Sequence, residues 1–109
     1  GSNGIVYQAN VADGTAPAGG YSFYTGAAGT TIQGLAIDPA GIGGAATLVF
    51  GDSSGAYHKV PLADASGAKV VKAVQTAGSV FATTPTIDAT GGMVLLGSDN
   101  ATVYGFARD

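Results

Sequence analysis

Gly34-Leu-Ala-Ile-Asp-Pro39, a turn, and Thr47-Leu-Val-Phe-Gly-Asp-Ser-Ser-Gly-Ala-Tyr57 return later in the chain as Thr84-Pro-Thr-Ile-Asp-Ala89, a turn, and Met93-Val-Leu-Leu-Gly-Ser-Asp-Asn-Ala-Thr-Val-Tyr104. Ile37-Asp38 matches Ile87-Asp88, and Gly51 matches Gly97. A partial third copy opens the chain: Gly4-Ile-Val-Tyr7 and Val11-Ala-Asp-Gly14 parallel Gly55-Ala-Tyr57 and Leu62-Ala-Asp-Ala-Ser-Gly67. Tyr7, Tyr57 and Tyr104 then fall 50 and 47 residues apart. Such a period has to be read before any local assignment, because a repeat decides the whole fold.

Working outward, the chain breaks into short runs rich in β-branched and aromatic residues, bounded by glycine or aspartate turns. Nine strands are expected: Ile5 to Val11, Tyr21 to Tyr24, Ile32 to Ile37, Thr47 to Phe50, Ala56 to Leu62, Lys69 to Thr76, Thr84 to Ile87, Met93 to Leu96 and Thr102 to Phe106. The valines around Ala73 are read as strand rather than helix, since no cap precedes them. Four strands fit each period, which is the repeat of a propeller blade. The expected fold is all-β, built of antiparallel four-stranded propeller-like blades, about two and a quarter of them, with a small β-sandwich as the alternative. The division is one domain over 1–109: a partial blade at 1–31, a blade-like repeat at 32–80 and a partial one at 81–109. Ile37, Val49, Leu95 and Val103 are expected in the core.

Composition agrees with that class. Glutamate is absent and glycine contributes 19 of 109 residues, so the Glu–Lys pairs of helix surfaces are missing. Charged residues make up 10% and the net charge is -3, which leaves no footprint for a phosphate backbone; nucleic acid is excluded as a partner. There is no cysteine for a disulfide or thiolate site. No apolar run approaches the ~20 residues that span a bilayer. Low charge with abundant Ala, Gly and Thr reads as extracytoplasmic: periplasmic, cell-surface or secreted. The opening Gly1-Ser2 reads as the scar of a removed tag.

Ala36-Ile-Asp38, Leu48 to Tyr57, Pro85-Thr-Ile-Asp88 and Val94 to Tyr104 resemble the blades of quinoprotein-type propellers, the pyrroloquinoline-quinone-like repeat family. The resemblance covers most of residues 32 to 109. It departs where the cofactor-using dehydrogenases of that family carry Thr-Gly-Lys and a tryptophan after the Ala-Asp turn. Here Ala63-Asp-Ala-Ser-Gly-Ala-Lys69 leads into Val70-Val71, and the chain has no tryptophan. The resemblance therefore implies the non-catalytic branch, with no cofactor, whose members serve as outer-membrane assembly scaffolds, surface adhesin modules or pilus-tip domains. No quinone or calcium ligand can be carried over to any position.

Few residues suggest chemistry. His58, the single histidine, has no second feature pointing to a nucleophile or an orienting carboxylate, so it is expected to be an outward-facing or loosely bonded strand histidine. Asp52-Ser-Ser-Gly55 and Ser98-Asp-Asn100 are too short for a calcium loop and read as Asx-turns closing hairpins. His58→Ala and Asp52→Asn are accordingly expected to leave any partner binding intact and to shift stability by less than about 1 kcal/mol. Gly41-Ile-Gly-Gly44 and Gly26-Ala-Ala-Gly29 lack the Lys-Ser/Thr of a phosphate loop. In Tyr21-Ser-Phe-Tyr24, alternation sends Tyr21 and Tyr24 to opposite faces, and an exposed aromatic there is the one candidate for partner binding.

These features point to a non-enzymatic extracytoplasmic structural or interaction module, a propeller-type scaffold or adhesin-like domain. The alternative is a pilin-like or other extracellular filament subunit, and a fragment of a quinone-dependent dehydrogenase ranks last. Two and a quarter blades cannot close a ring, so the chain is expected to be part of a larger one or a homo-oligomer. The strand Ile5 to Val11 carries neither charge nor proline to blunt an edge, which favours pairing with a protein partner or a second copy.

Overall fold

The computed structural model describes residues 3–63, 71–74 and 80–109, the strand at 71–74 by its backbone. Nine strands occur among these residues, each overlapping an expected one: β1 (Ile5–Tyr7), β2 (Ser22–Thr25), β3 (Leu35–Asp38), β4 (Thr47–Gly51), β5 (Ala56–Pro61), β6 (Val71–Val74), β7 (Thr86–Asp88), β8 (Met93–Gly97) and β9 (Val103–Ala107). The only helical turn described is a 3-10 turn at Ile42–Gly44. No helix among the described residues is long and apolar enough to cross a membrane. The turn expected over 64–69 and the outer parts of the sixth strand lie outside the described residues.

The protein is all-β. Its strands form three antiparallel meander sheets in chain order: β1-β2, then β3-β4-β5-β6, then β7-β8-β9. Consecutive side chains of a strand point to opposite faces, and the middle sheet uses both. Leu48, Phe50 and Val60 pack against Val6, Phe23 and Tyr24 of the first sheet. Val49 and Tyr57 pack against Phe81, Val94 and Leu96 with the third sheet. β4 and β5 are buried from end to end, β4 with a run of apolar side chains and β5 with His58 and Lys59 held by polar partners. Gly51 permits the close approach on the second side, since a Cβ there would run into Phe81 and Leu96.

Each repeat turns the same corner before its third strand. Gly4, Gly55 and Ala101 adopt left-handed φ of 70°, 80° and 63° immediately before or within one residue of β1, β5 and β9. Asp52 N–H donates to Ala56 O at 3.0 Å and Ser98 N–H to Thr102 O at 3.0 Å, so the two complete corners superpose 46 positions apart. The corners of the first and third sheets carry the same side-chain bonds. Asn3 Nδ2 donates to the Tyr7 hydroxyl at 2.7 Å and Asn100 Nδ2 to the Tyr104 hydroxyl at 2.9 Å. Tyr7 and Tyr104 therefore correspond to His58 and not, as the spacing of tyrosines suggests, to Tyr57. A slip of one residue reverses the face, and Tyr57 looks the other way, stacked on Phe106 at 4.0 Å.

The expected core needs correction for the same reason of phase. Val49 is 1% exposed, but Ile37 and Val103 are 54% and 70% exposed, and Leu95 is only half-buried. Ile37 faces the first sheet's side of the middle sheet, where that sheet has only β1 and β2 among the described residues. Val103 faces away from the middle sheet, because its neighbours Tyr104 and Phe106 are the ones that pack inward.

Candidate functional site

The seam between the first and middle sheets encloses a polar chain. The turn after β4 is an Asx-turn as its sequence indicates: Asp52 Oδ1 accepts from Ser54 N–H at 2.8 Å, from the Ser54 hydroxyl and from Ala56 N–H at 3.2 Å. Because β5 returns antiparallel beside β4, the same carboxylate also reaches His58, and its Oδ2 lies 2.7 Å from Nε2. With Nε2–H donating to Asp52, Nδ1 is left to accept from the Tyr24 hydroxyl of β2 at 3.2 Å. The imidazole stacks on Phe50 at 4.7 Å, and Tyr24 meets Phe50 edge-on at 5.6 Å.

This overturns the outward-facing reading of His58, which is 2% exposed, as is Asp52. The enclosure raises the stability effect to be expected on replacing them, since an orphaned buried partner costs its desolvation. Burial pushes the Asp52 carboxyl up, but the bonds from Ser54, His58 and Ala56 outweigh it and hold the carboxyl below 3.8. Tyr24 moves the other way, raised first by burial and then by the Asp52 charge. The hydroxyl–imidazole–carboxylate order joins β2 to the β4–β5 turn and acts as a clasp between two sheets.

Tyr21 and Tyr24 are separated by this arrangement. Tyr21 remains 50% exposed, with its hydroxyl donating to Gly14 O at 3.2 Å. Tyr24 turns inward, half-buried against the middle sheet. They do not form one platform.

The second seam is held by ions. Arg108 forks onto Asp38, with Nε donating to Oδ2 at 2.8 Å and Nη2 to Oδ1 at 2.6 Å, and Asp38 is fully buried. The Arg108 bonds hold the Asp38 carboxyl below its ordinary 3.8 against the opposing effect of burial. Lys59, 6% exposed, donates from Nζ to Asp109 O at 2.6 Å and to Ala107 O at 3.3 Å. The Tyr57 hydroxyl, buried beside Asp38, finds no partner among the described residues; desolvation, and then the Asp38 charge, raise its pKa.

An open groove of about 280 Å³ lies between the first two sheets, lined by Val6 and Phe23 on one side and by Leu35, Ile37, Leu48 and Leu62 on the other. It was not legible from the sequence, which marks these residues only as strand positions. Among the described residues no group of three or more His, Cys, Asp or Glu is placed to hold a metal ion. No protein-family model, curated protein or solved structure matches the chain.

Proposed function

We propose that the chain is a non-enzymatic, extracytoplasmic structural and interaction module, a propeller-type scaffold or adhesin-like domain that joins protein partners or its own copies through sheet edges. One contrast carries the reading. Among the described residues the inner strands β4 and β5 of the middle sheet are buried from end to end, whereas Tyr7 of the first sheet and Met93 and Val103 of the third are exposed by 58%, 38% and 70%. Unpaired edges beside exposed apolar side chains are what one chain offers another.

The non-enzymatic part rests on enclosure: the Asp52–His58 pair is sealed between aromatic rings and has no face toward a substrate. The recurring left-handed corner supports the reading of the chain as successive repeats, and their assignment to the non-catalytic branch of the quinoprotein-type family, which builds scaffolds and surface modules, is part of the proposal. Light scattering coupled to size exclusion tests the proposal. A mass above 10.5 kDa that rises with concentration is expected. A constant monomer that also captures no protein partner overturns it, and an open ladder of sizes favours a filament subunit over a closed scaffold.

A further inference from the structure

The corners ahead of β1 and β9 each build the same set of contacts around an asparagine. Asn3 Oδ1 accepts from Ile5 N–H and Asn100 Oδ1 from Thr102 N–H, both at 3.2 Å. Each carboxamide nitrogen lies against a tyrosine hydroxyl, at 2.7 Å from Tyr7 in the first corner and 2.9 Å from Tyr104 in the other. The two corners differ in the next residue, Gly4 in one and Ala101 in the other.

These contacts suit a reaction of the chain with itself. The backbone nitrogen after an asparagine can add to the side-chain carboxamide carbon and close an imide ring. In the first corner Ile5 N–H already donates to the oxygen on which negative charge develops, where a fixed donor lowers the barrier. The Tyr7 hydroxyl lies at the nitrogen that must depart with a proton. The turn holds the carboxamide beside the Gly4 amide, which donates to no described residue, so ring closure needs little further ordering. Gly4 presents no Cβ to the closing ring, whereas Ala101 does. Asn3 is exposed, so solvent supplies the base and the water that the reaction consumes.

The other place where an acidic or amide residue precedes glycine, Asp13-Gly14, is disarmed. Gly14 N–H donates to Asn10 O at 2.8 Å. The Thr15 hydroxyl and N–H bind the Asp13 carboxylate at 2.7 and 3.0 Å and hold it below its ordinary value, so it stays ionised and has no group to expel.

We propose that Asn3-Gly4 is a self-modifying site, converting without an enzyme to aspartate and isoaspartate. Gly4 N loses its proton to water or hydroxide and bonds to Asn3 Cγ. The Cγ–Nδ2 bond breaks, and ammonia leaves with a proton from the Tyr7 hydroxyl, which solvent restores. Water then opens the imide, at Cγ to give aspartate or at the main-chain carbonyl to give isoaspartate, whose backbone is longer by one carbon. Either product removes the Nδ2 donor from Tyr7. Isoaspartate also displaces the entry to β1 and loosens the bond from Gly26 N–H to Gly4 O, 2.8 Å in the unmodified chain.

The test holds the full chain at mildly alkaline pH, folded or in urea, and maps it by mass spectrometry with fragmentation that separates aspartate from isoaspartate. In the folded chain Asn3 is expected to convert at least about tenfold faster than Asn100, with Asp13 unchanged and with faster amide exchange at Gly26 as isoaspartate accumulates. Ala101→Gly keeps the left-handed corner and gives Asn100 the same neighbour as Asn3, so Asn100 should then convert at least about tenfold faster than before. Tyr7→Phe, at an exposed position, should slow Asn3 in the folded chain and not in urea. Slower conversion of Asn3 in the folded chain than in urea overturns the proposal. So does an Asn100 that stays intact in Ala101→Gly, or an equal effect of Tyr7→Phe in both conditions.

Discussion

The corner of the middle sheet and the corner of the third sheet share a backbone and differ in chemistry. In both, a left-handed residue sends the chain into the third strand, and three residues later a ring points to the preceding sheet. In the third sheet that ring is Tyr104, half-buried, its hydroxyl held by Asn100 from the exposed turn. In the middle sheet it is His58, fully enclosed, its nitrogens shared between Asp52 and Tyr24. Where the turn stays wet, a neutral amide and hydroxyl suffice, because water satisfies whatever they leave over. Where the neighbouring sheet excludes water, every lone pair needs a protein partner, and a two-sided ring between a carboxylate and a hydroxyl provides them.

Substitutions can break this comparison in order of size. Phe50→Ala empties the ring stack beneath His58 and should cost about 3–5 kcal/mol, enough to unfold a small domain, as read by urea denaturation. Asp52→Ala should cost about 3 kcal/mol, since it takes the acceptor from His58 Nε2 and from the three turn donors of Ser54 and Ala56 together. Asn100→Ala, at the corresponding wet corner, should cost about 1 kcal/mol or less. Equal effects of Asp52→Ala and Asn100→Ala in the same denaturation series would remove the distinction between the corners.

Acid sharpens the comparison further. Asp52 and Asp38 both have folded-state carboxyl values below 3.8, so their contribution to stability is complete well above that value and is lost as pH falls through it into the folded-state range. The urea midpoint should fall with acid below about pH 5 as these two carboxylates are protonated. Asp52→Asn should shallow that fall. Smallest of all, Ala101→Gly relieves a left-handed alanine and should raise stability by about 0.5–1 kcal/mol, while Gly55→Ala should lower it by about 1 kcal/mol, both measurable as shifts in Tm.

The repeat and all nine strands were legible because turns announce themselves in residue type: Gly51 and Gly97, Asp38 and Asp88, the Asp52 turn. Facing was not. β4 is apolar at Leu48, Val49 and Phe50 alike because both its faces are covered, so the pattern carries no preference that could place Ile37 or Val103. Matching Tyr57 to Tyr104 by identity misled for a related reason. The left-handed position sets the register, and at Ala101 it is not a glycine that would mark it. A signal for the clasp did exist: a carboxylate at the start of a tight hairpin faces the residue six positions on, across the turn. The Arg108–Asp38 fork had no such signal, since its partners lie 70 residues apart and meet only when the sheets stack.

Sheets two and three make the same β-meander with connections of different length. Between the paired ends Asp38–Thr47 and Asp88–Met93 run eight residues in one case and four in the other. The strand registers on either side are unaffected, so the shorter connection already closes the turn and the extra residues of the longer one are a tolerated guest. For an engineer this marks the Ala89–Gly92 turn as a grafting port. A foreign epitope of a few residues inserted there should be displayed at the cost of loop closure alone, about 0.6 kcal/mol for each doubling of its length.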